Sequence, residues 1–277
     1  MKTYPALDVR TDAPEFVLAL VDDFAPAAAE EHGAVVRVFF ATTADRDAAQ
    51  RSVGERFDVT PIDVSDEDWA RRSQENLQPV TVGAITIAPR VQPPFTHPPN
   101  PQSPAPNPLV IVIQPSMGFG TGHHASTRLC LAALQTLALG GRVVVDVGTG
   151  SGVLAIAAAR LGAASAVGID NDPDAIQSAQ ENWELNGRPD NVRFATADLG
   201  AQPLPSADVV TANLTGALLT RSARRLLEAV RPDGTLVASG ILAEERDQVA
   251  AAFAPAAIVW EREEDGWIGL AVKKSWQ

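Results

Sequence analysis

Residues 146–152 read Asp-Val-Gly-Thr-Gly-Ser-Gly and follow Arg142-Val143-Val144-Val145. An apolar run ending in an acid and then a glycine turn reads as a buried strand whose chain reverses into the Ala-rich helix expected over 153–161. Glycines in such a turn let the backbone approach a ligand closely, with the helix N-terminus aimed at it. A second acid, Asp170, ends the next apolar segment, Ala166-Val167-Gly168-Ile169, where a carboxylate suits ribose hydroxyls. The dinucleotide fingerprint G-x-G-x-x-G requires a small residue three positions after its second glycine. Counting from Gly148 and Gly150, that place holds Val153, which disfavours a nicotinamide or flavin dinucleotide.

The alternation of strand and helix after residue 140 argues for a mostly parallel α/β sheet covered on both faces. Strands are expected at 143–147, 166–170, 192–196, 208–212 and 235–239. Two later apolar segments, 257–260 and 267–272, have no helix between them and fit an antiparallel hairpin closing the sheet. Asp172-Pro173 is a helix start, with Asp as N-cap and Pro at the first helical position, and Gly187 is its stop. Upstream, a small α+β unit is expected over residues 1–65. Its strands fall at 6–9, 34–40 and 58–64, and its helices at 13–22, capped by Asp12, and 43–57. If 26–30 is also extended, the order is β-α-β-β-α-β, a ferredoxin-like unit; Ala27-Ala28-Ala29 leaves a helix open there. A linker helix is expected over 66–82, with acids first and bases later, and the second domain over 83–277. Eight of the sixteen residues 93–108 are proline, which excludes helix and central strand and leaves a spacer, a long hairpin tip or a ligand for aromatic grooves.

Thirty-four acids against 22 bases give a net charge of −12. Sequence-independent binding to nucleic acid needs clustered Lys and Arg, so no direct nucleic-acid partner is expected. The charge either keeps the chain soluble or favours encounter with a basic protein. No run approaches the ~20 apolar residues of a membrane span, and Met1-Lys2-Thr3-Tyr4 does not open a signal peptide. The single cysteine, Cys130, lies between leucines and reads as a core residue compatible with a reducing cytoplasm. Four histidines and one cysteine offer no metal-ligand spacing.

The Asp-x-Gly-x-Gly-Ser-Gly turn is similar to the first motif of class I S-adenosylmethionine-dependent methyltransferases. The run Met117-Gly118-Phe119-Gly120-Thr121-Gly122-His123-His124-Ala125-Ser126-Thr127 narrows the resemblance further. It resembles the PrmA family, bacterial methyltransferases of protein eleven of the large ribosomal subunit, which carry Ala-Phe-Gly-Thr-Gly-Thr-His-Pro-Thr-Thr there. The likeness continues through 168–173, Ala212-Asn213-Leu214, 239–242 and Gly266-Trp267, with Asp66-Glu67-Asp68-Trp69 and Ile87-Ala88-Pro89 upstream. It covers 66–277 well and the first 65 residues in outline.

The resemblance implies a class I methyltransferase, Rossmann-like sheet with an antiparallel last strand, and S-adenosylmethionine as cofactor. It implies that Thr127 touches the methionyl end and that Gly148 presents backbone to the cofactor, with Gly150 and Gly152 keeping the turn clear. Asp170 would accept both ribose hydroxyls, and Asn213 would bind the cofactor and orient the acceptor amine as the catalytic residue. Thr127 has a competing reading as a helix cap, and Asp198 is either an adenine contact or a solvated turn acid. His124 matches a family histidine and His123 replaces a threonine; both read as shaping the loop rather than as bases, with Phe119 as a wall. Ala125 stands for a family proline, which would loosen the loop, and Asn213-Leu214-Thr215-Gly216 has a polar, flexible end on the substrate side where the family usually continues with aliphatic residues. The activity implied is N-methylation of lysine or α-amino groups of a large-subunit ribosomal protein, docked by the N-terminal unit. Another protein lysine, a small molecule, and a non-catalytic cofactor-binding module remain alternatives.

Overall fold

Adjacent valines along the strands of the C-terminal unit go to opposite faces, as the two-residue period of a strand requires. Val144, Val209 and Val237 join one buried cluster, while Val145, Val210, Leu236 and Ala238 join the other. A sheet apolar on both faces is stable only between two layers, and helices supply them. The structure, a computed structural model, describes residues 3–11, 14–21, 24, 26–65, 78–89, 109–114 and 123–274. The chain divides into two units, Met1–Asn76 and Leu77–Gln277.

The first unit runs β1 (Thr3–Arg10), α1 (Pro14–Val21), β2 (Pro26–His32), β3 (Val35–Phe40), α2 (Thr43–Val53) and β4 (Asp58–Ser65). The sheet order is β2-β3-β1-β4, antiparallel throughout. This is the β-α-β-β-α-β order, with 26–32 extended rather than helical. Leu7, Val9, Val36, Val38 and Phe40 pack beneath Val17, Val21, Ala49 and Val53 of the two helices. On strands β1 and β3, Asp8 faces Arg37 directly, and the guanidinium donates to both carboxylate oxygens at 2.6 and 2.7 Å. The expected cap Asp12 lies outside the described residues.

The second unit opens with three short strands, β5 (Val80–Val82), β6 (Ile85–Ala88) and β7 (Leu109–Val112). Residues 80–82 therefore do not belong to a linker helix. Val-Thr-Val is β-branched at every position, and Gly83 at φ +57° turns the chain straight into β6. The Gln135 side chain holds this turn, accepting from the Ala84 N–H at 2.7 Å and donating to the Val82 carbonyl at 2.9 Å. Residues 66–77 and the proline-rich 93–108 lie outside the described residues. Strands β6 and β7 pair in parallel.

There follow α3 (Ala125–Leu134), β8 (Val143–Val147), α4 (Val153–Arg160), β9 (Ser165–Asp170), α5 (Pro173–Leu185), β10 (Val192–Thr196), β11 (Ala207–Asn213), α6 (Gly216–Ala229), β12 (Val230–Leu242), α7 (Arg246–Ala252), β13 (Ala257–Glu264) and β14 (Trp267–Lys273). The sheet order is β10-β9-β8-β11-β12-β14-β13. The five strands from β10 to β12 are parallel, and β14 enters antiparallel between β12 and β13. Successive strands run outward from β8 in one direction and resume at β11 in the other. The carboxyl ends of β8 and β11 are thus the switch point where α/β sheets bind ligands. Cys130 is fully buried on α3 among leucines, and burial pushes its thiol pKa up, as a core residue requires. Among the described residues no helix is long and apolar enough to cross a membrane.

Candidate active site

The turn after β8 takes its shape from left-handed backbone: Gly148, Gly150 and Gly152 have φ of +70°, +50° and +80°. A side chain at Gly148 would also strike Leu214, whose Cδ2 lies 2.5 Å from where a Cβ would stand. Four of the turn's amides are spent within the protein. Those of Gly148 and Thr149 donate to the Ile169 carbonyl at 2.9 Å, and that of Gly152 donates to Thr149 at 2.8 Å. The Gly150 amide donates to Asp170 Oδ2 at 3.0 Å. A pyrophosphate cradle needs such amides pointing outward, so this turn suits a ligand without phosphates. Gly148 is left to meet a ligand through its carbonyl and Cα surface, not its N–H.

Asp170 ends β9 and is half-buried. Besides Gly150, it accepts from the Asp172 N–H through Oδ1 at 3.1 Å. A carboxylate has about four lone-pair sites, so one on each oxygen remains for a pair of vicinal hydroxyls. Gly148 and Asp170 line one cavity of about 240 Å³, the scale of one nucleoside, together with Asp198, Leu214, Leu218 and Arg221. Asp198 lines this cavity, and its Oδ1 accepts from the Gly200 N–H at 2.6 Å, as a turn acid does. Arg221 and Leu218 come from α6, and nothing in the local sequence marked them.

The remaining predicted residues meet on the other side of the switch point. Asn213, last residue of β11, donates from Nδ2 to Thr127 Oγ1 at 3.2 Å across a separation of 86 residues. Thr127 is 1% exposed. It does not cap its helix: His124 is the N-cap of α3, its ring nitrogen accepting from the Ser126 N–H. The Thr127 hydroxyl hydrogen can donate, and no described residue donates to Asn213 Oδ1, so the pair offers one donor and one acceptor to a ligand. Thr127 and Asn213 do not line the cavity that holds Gly148 and Asp170; they stand beside it. Phe119 lies outside the described residues.

His124 Nδ1 is 2.7 Å from Ser126 Oγ, and the ring stands edge-on to Trp267 at 4.6 Å. Burial, then the nearby Arg128 charge, lowers its pKa, so it caps α3 as a neutral ring. Arg128 clasps the same helix end, reaching Glu264 at 2.5 Å, Asp265 at 2.8 Å and the His123 carbonyl. Ala125 is the first helical residue of α3, where proline is favoured but not needed. It sits in a capped helix rather than a loosened loop. Leu214-Thr215-Gly216 is likewise an ordered cap: Thr215 accepts from the Leu218 N–H to start α6, and the Leu214 amide donates to Ser239 at 3.0 Å.

Asp146 ties the two halves together. It is 1% exposed and accepts from Thr149 of the turn and Thr211 of β11, each at 2.6 Å. Burial is the main cause that pushes its pKa up to about 6, against the two hydroxyl bonds. A carboxyl raised in the fold binds its proton more tightly there than in the unfolded chain. Its contribution is therefore full below its ordinary value of 3.8 and is lost as pH rises through about 6. That interval is worth about 3 kcal/mol. Asp146→Asn should lack this slope, so urea midpoints of the two proteins should diverge at pH 4–5 relative to pH 7. Parallel pH profiles would refute the assignment.

The strand order, the antiparallel strand near one edge and the cavity at the carboxyl ends of β8 and β9 define a class I methyltransferase fold. The family described as ribosomal protein L11 methyltransferase (PrmA) matches residues 21–275. The ribosomal protein L11 methyltransferase of Azotobacter vinelandii is 41% identical over 212 residues, covering 75% of this chain and 68% of its own length. That of Burkholderia multivorans is 38% identical over 219 residues, covering 78% and 68%. Among solved structures, the ribosomal protein L11 methylase of Lactobacillus delbrueckii subsp. bulgaricus matches with a TM-score of 0.62 and 27% identity, covering 72% of this chain and 99% of that one. The chain belongs to the PrmA family of ribosomal protein L11 methyltransferases. The match begins at residue 21, so it reaches further into the N-terminal unit than the motifs did.

Proposed function

We propose that this methyltransferase transfers the methyl group of S-adenosylmethionine to amino groups of a large-subunit ribosomal protein of the L11 class. The observation that carries the reading is the Thr127–Asn213 contact beside a nucleoside-sized cavity ending in Asp170. Asp170 has its remaining lone pairs for the ribose hydroxyls, Gly148 gives the close backbone approach, and the committed amides suit a cofactor without phosphates. Thr127 and Asn213 offer the donor and acceptor that an α-amino acid end requires.

S-adenosylmethionine supplies a methyl group on a sulfonium, displaced in line by a nitrogen lone pair as the carbon–sulfur bond breaks. What the protein must add is position and an uncharged amine. Holding a lysine of ordinary pKa neutral at pH 7 costs about 5 kcal/mol, which a dry pocket lowers by disfavouring the ammonium. Asn213 Oδ1 orients the amine, and the proton departs to water. His124 serves no base role, because its Nδ1 is engaged with Ser126. The N-terminal unit has its own core and contributes none of the site residues, which suits it to dock the substrate. An excess of acids over bases, 34 to 22, favours a basic protein over a nucleic acid as that substrate.

Labelled S-adenosylmethionine incubated with the protein and either a ribosomal or a ribosome-depleted extract tests this by mass spectrometry. Label should enter the L11 band. Label confined to a non-ribosomal band would overturn the substrate, and failure to bind S-adenosylmethionine by calorimetry would leave a non-catalytic module.

A further inference from the structure

Helix α5 begins three residues beyond Asp170, with Asp172 as N-cap and Pro173 in its first turn. Its far end carries Asn182 and Asn186, spaced i,i+4 and therefore on one face, 1% and 6% exposed. A buried amide is costly unless every polar atom is satisfied, and both side chains bind the backbone of other elements. Asn186 accepts from the Val112 N–H at 3.0 Å and donates to the Val112 carbonyl at 2.7 Å. Asn182 Oδ1 accepts from the Gln114 N–H at 2.8 Å. The two amides act as a substitute strand along β7 and its extension.

Asn182 does one thing more. Its Nδ2 donates to the Ser151 carbonyl at 2.9 Å, inside the glycine turn. Ser151 lies between two glycines of positive φ, so its buried carbonyl points away from the helix ladder and needs a donor from elsewhere. Among the described residues, side chains fasten this turn through Asp146 to Thr149, Asp170 to Gly150 and Asn182 to Ser151. The first comes from β8, the second from β9, and the third from a helix 31 residues on.

We propose that Asn182 is a positioning residue for the methyl-donor site. It fixes the glycine turn against α5, the helix continuous with Asp170, so that Gly148 and the Asp170 carboxylate are presented to the cofactor in one geometry. This rests on the cofactor reading above. Packing alone does not account for the residue: an apolar side chain would fill the space but would take away the acceptor of the Gln114 N–H and this donor to the Ser151 carbonyl.

Calorimetry with S-adenosylhomocysteine on the full chain tests it, comparing wild type, Asn182→Ala, Asn182→Asp and Asn186→Ala. Asn182→Asp keeps an acceptor for Gln114 but has no donor for Ser151. Both Asn182 variants should raise Kd about tenfold or more, the scale on which loss of an outer-shell or positioning group acts. Asn186→Ala loses strand bonds without touching the turn, so it should lower Tm with Kd held within about twofold, the size of an ordinary surface change. Wild-type affinity in both Asn182 variants would overturn the proposal, as would losses of Kd and Tm in the same proportion as for Asn186→Ala. If the variants do not fold, hydrogen exchange on the wild type decides. Ligand should slow exchange of the Gln114 amide, whose acceptor is Asn182, and an unchanged rate overturns the proposal. Absence of binding by the wild-type chain instead overturns the cofactor reading, and this inference with it.

Discussion

Asn213→Ala should reduce methyl transfer by about two to three orders of magnitude, the cost of removing a group that acts on the reacting centre. Binding of S-adenosylhomocysteine should weaken by no more than about tenfold, one hydrogen bond's worth. The inequality follows from where the carboxamide stands. Its Nδ2 is held by Thr127 Oγ1 at 3.2 Å, and no described residue donates to Oδ1, which stays open to an incoming group. Truncation removes the acceptor that would orient the incoming amine, whereas the nucleoside half of the site, Gly148 and Asp170, is untouched. Backbone pairing of Asn213 with Ser239 persists in the variant, so the strand end stays in place. Thr127→Ala serves as the control, because it frees Nδ2 without removing Oδ1 and should cost less in kcat. Initial rates at saturating S-adenosylmethionine, set beside calorimetric Kd values, read the split. Small and equal effects on both would remove Asn213 from the catalytic role.

Asp170→Ala should show the opposite split. Two charge-assisted hydrogen bonds at about 1.5–3 kcal/mol each amount to about 3–6 kcal/mol, roughly two to four decades of affinity. Kd for S-adenosylhomocysteine and KM for S-adenosylmethionine should rise together, with kcat at saturation changed by only a few-fold, since the ribose is remote from the transferred methyl. The variant also strands the Gly150 amide, which Asp170 accepts at 3.0 Å, and the Asp172 amide, at 3.1 Å. A modest fall in Tm should therefore accompany the loss of affinity. Asp170→Asn is no gentler: one of those two backbone donors would face an NH2 group. A large fall in kcat with KM unchanged would show that Asp170 acts elsewhere than on the cofactor.

The elements that could be read from the sequence are those whose signal is local. Val143–Val147 and Ser165–Asp170 are dense in β-branched or small apolar residues, and each carries an acid at or next to its end before a turn. Asp172-Pro173 and Gly187 bracket α5 by chemistry that acts within one helical turn. Val80–Val82, Ile85–Ala88 and Leu109–Val112 were not legible, because three or four residues carry almost no periodicity and β7 finds its neighbour across the whole proline-rich segment. Asn182 and Asn186 look like ordinary polar positions on an amphipathic helix until β7 lies beside them. His124 is a poor N-cap by preference, and only its packing against Trp267 from the last strand makes the cap intelligible.

The turn at 146–152 by itself determined a strand, a sharp glycine reversal and a helix. Val153 in place of a small residue, with Asp170 closing the next strand, narrowed the ligand to a ribose-bearing molecule other than a dinucleotide. Those are consequences of backbone conformation and side-chain size, which act between neighbours in the chain. Tertiary structure alone decided that the turn's amides face inward, that Asp146 joins Thr149 to Thr211, and that Thr127 and Asn213 touch. The physical reason is that a hydrogen bond between residues 65 or 86 positions apart leaves no periodic trace. It exists only once parallel strands and their crossovers bring the carboxyl ends of β8 and β11 side by side.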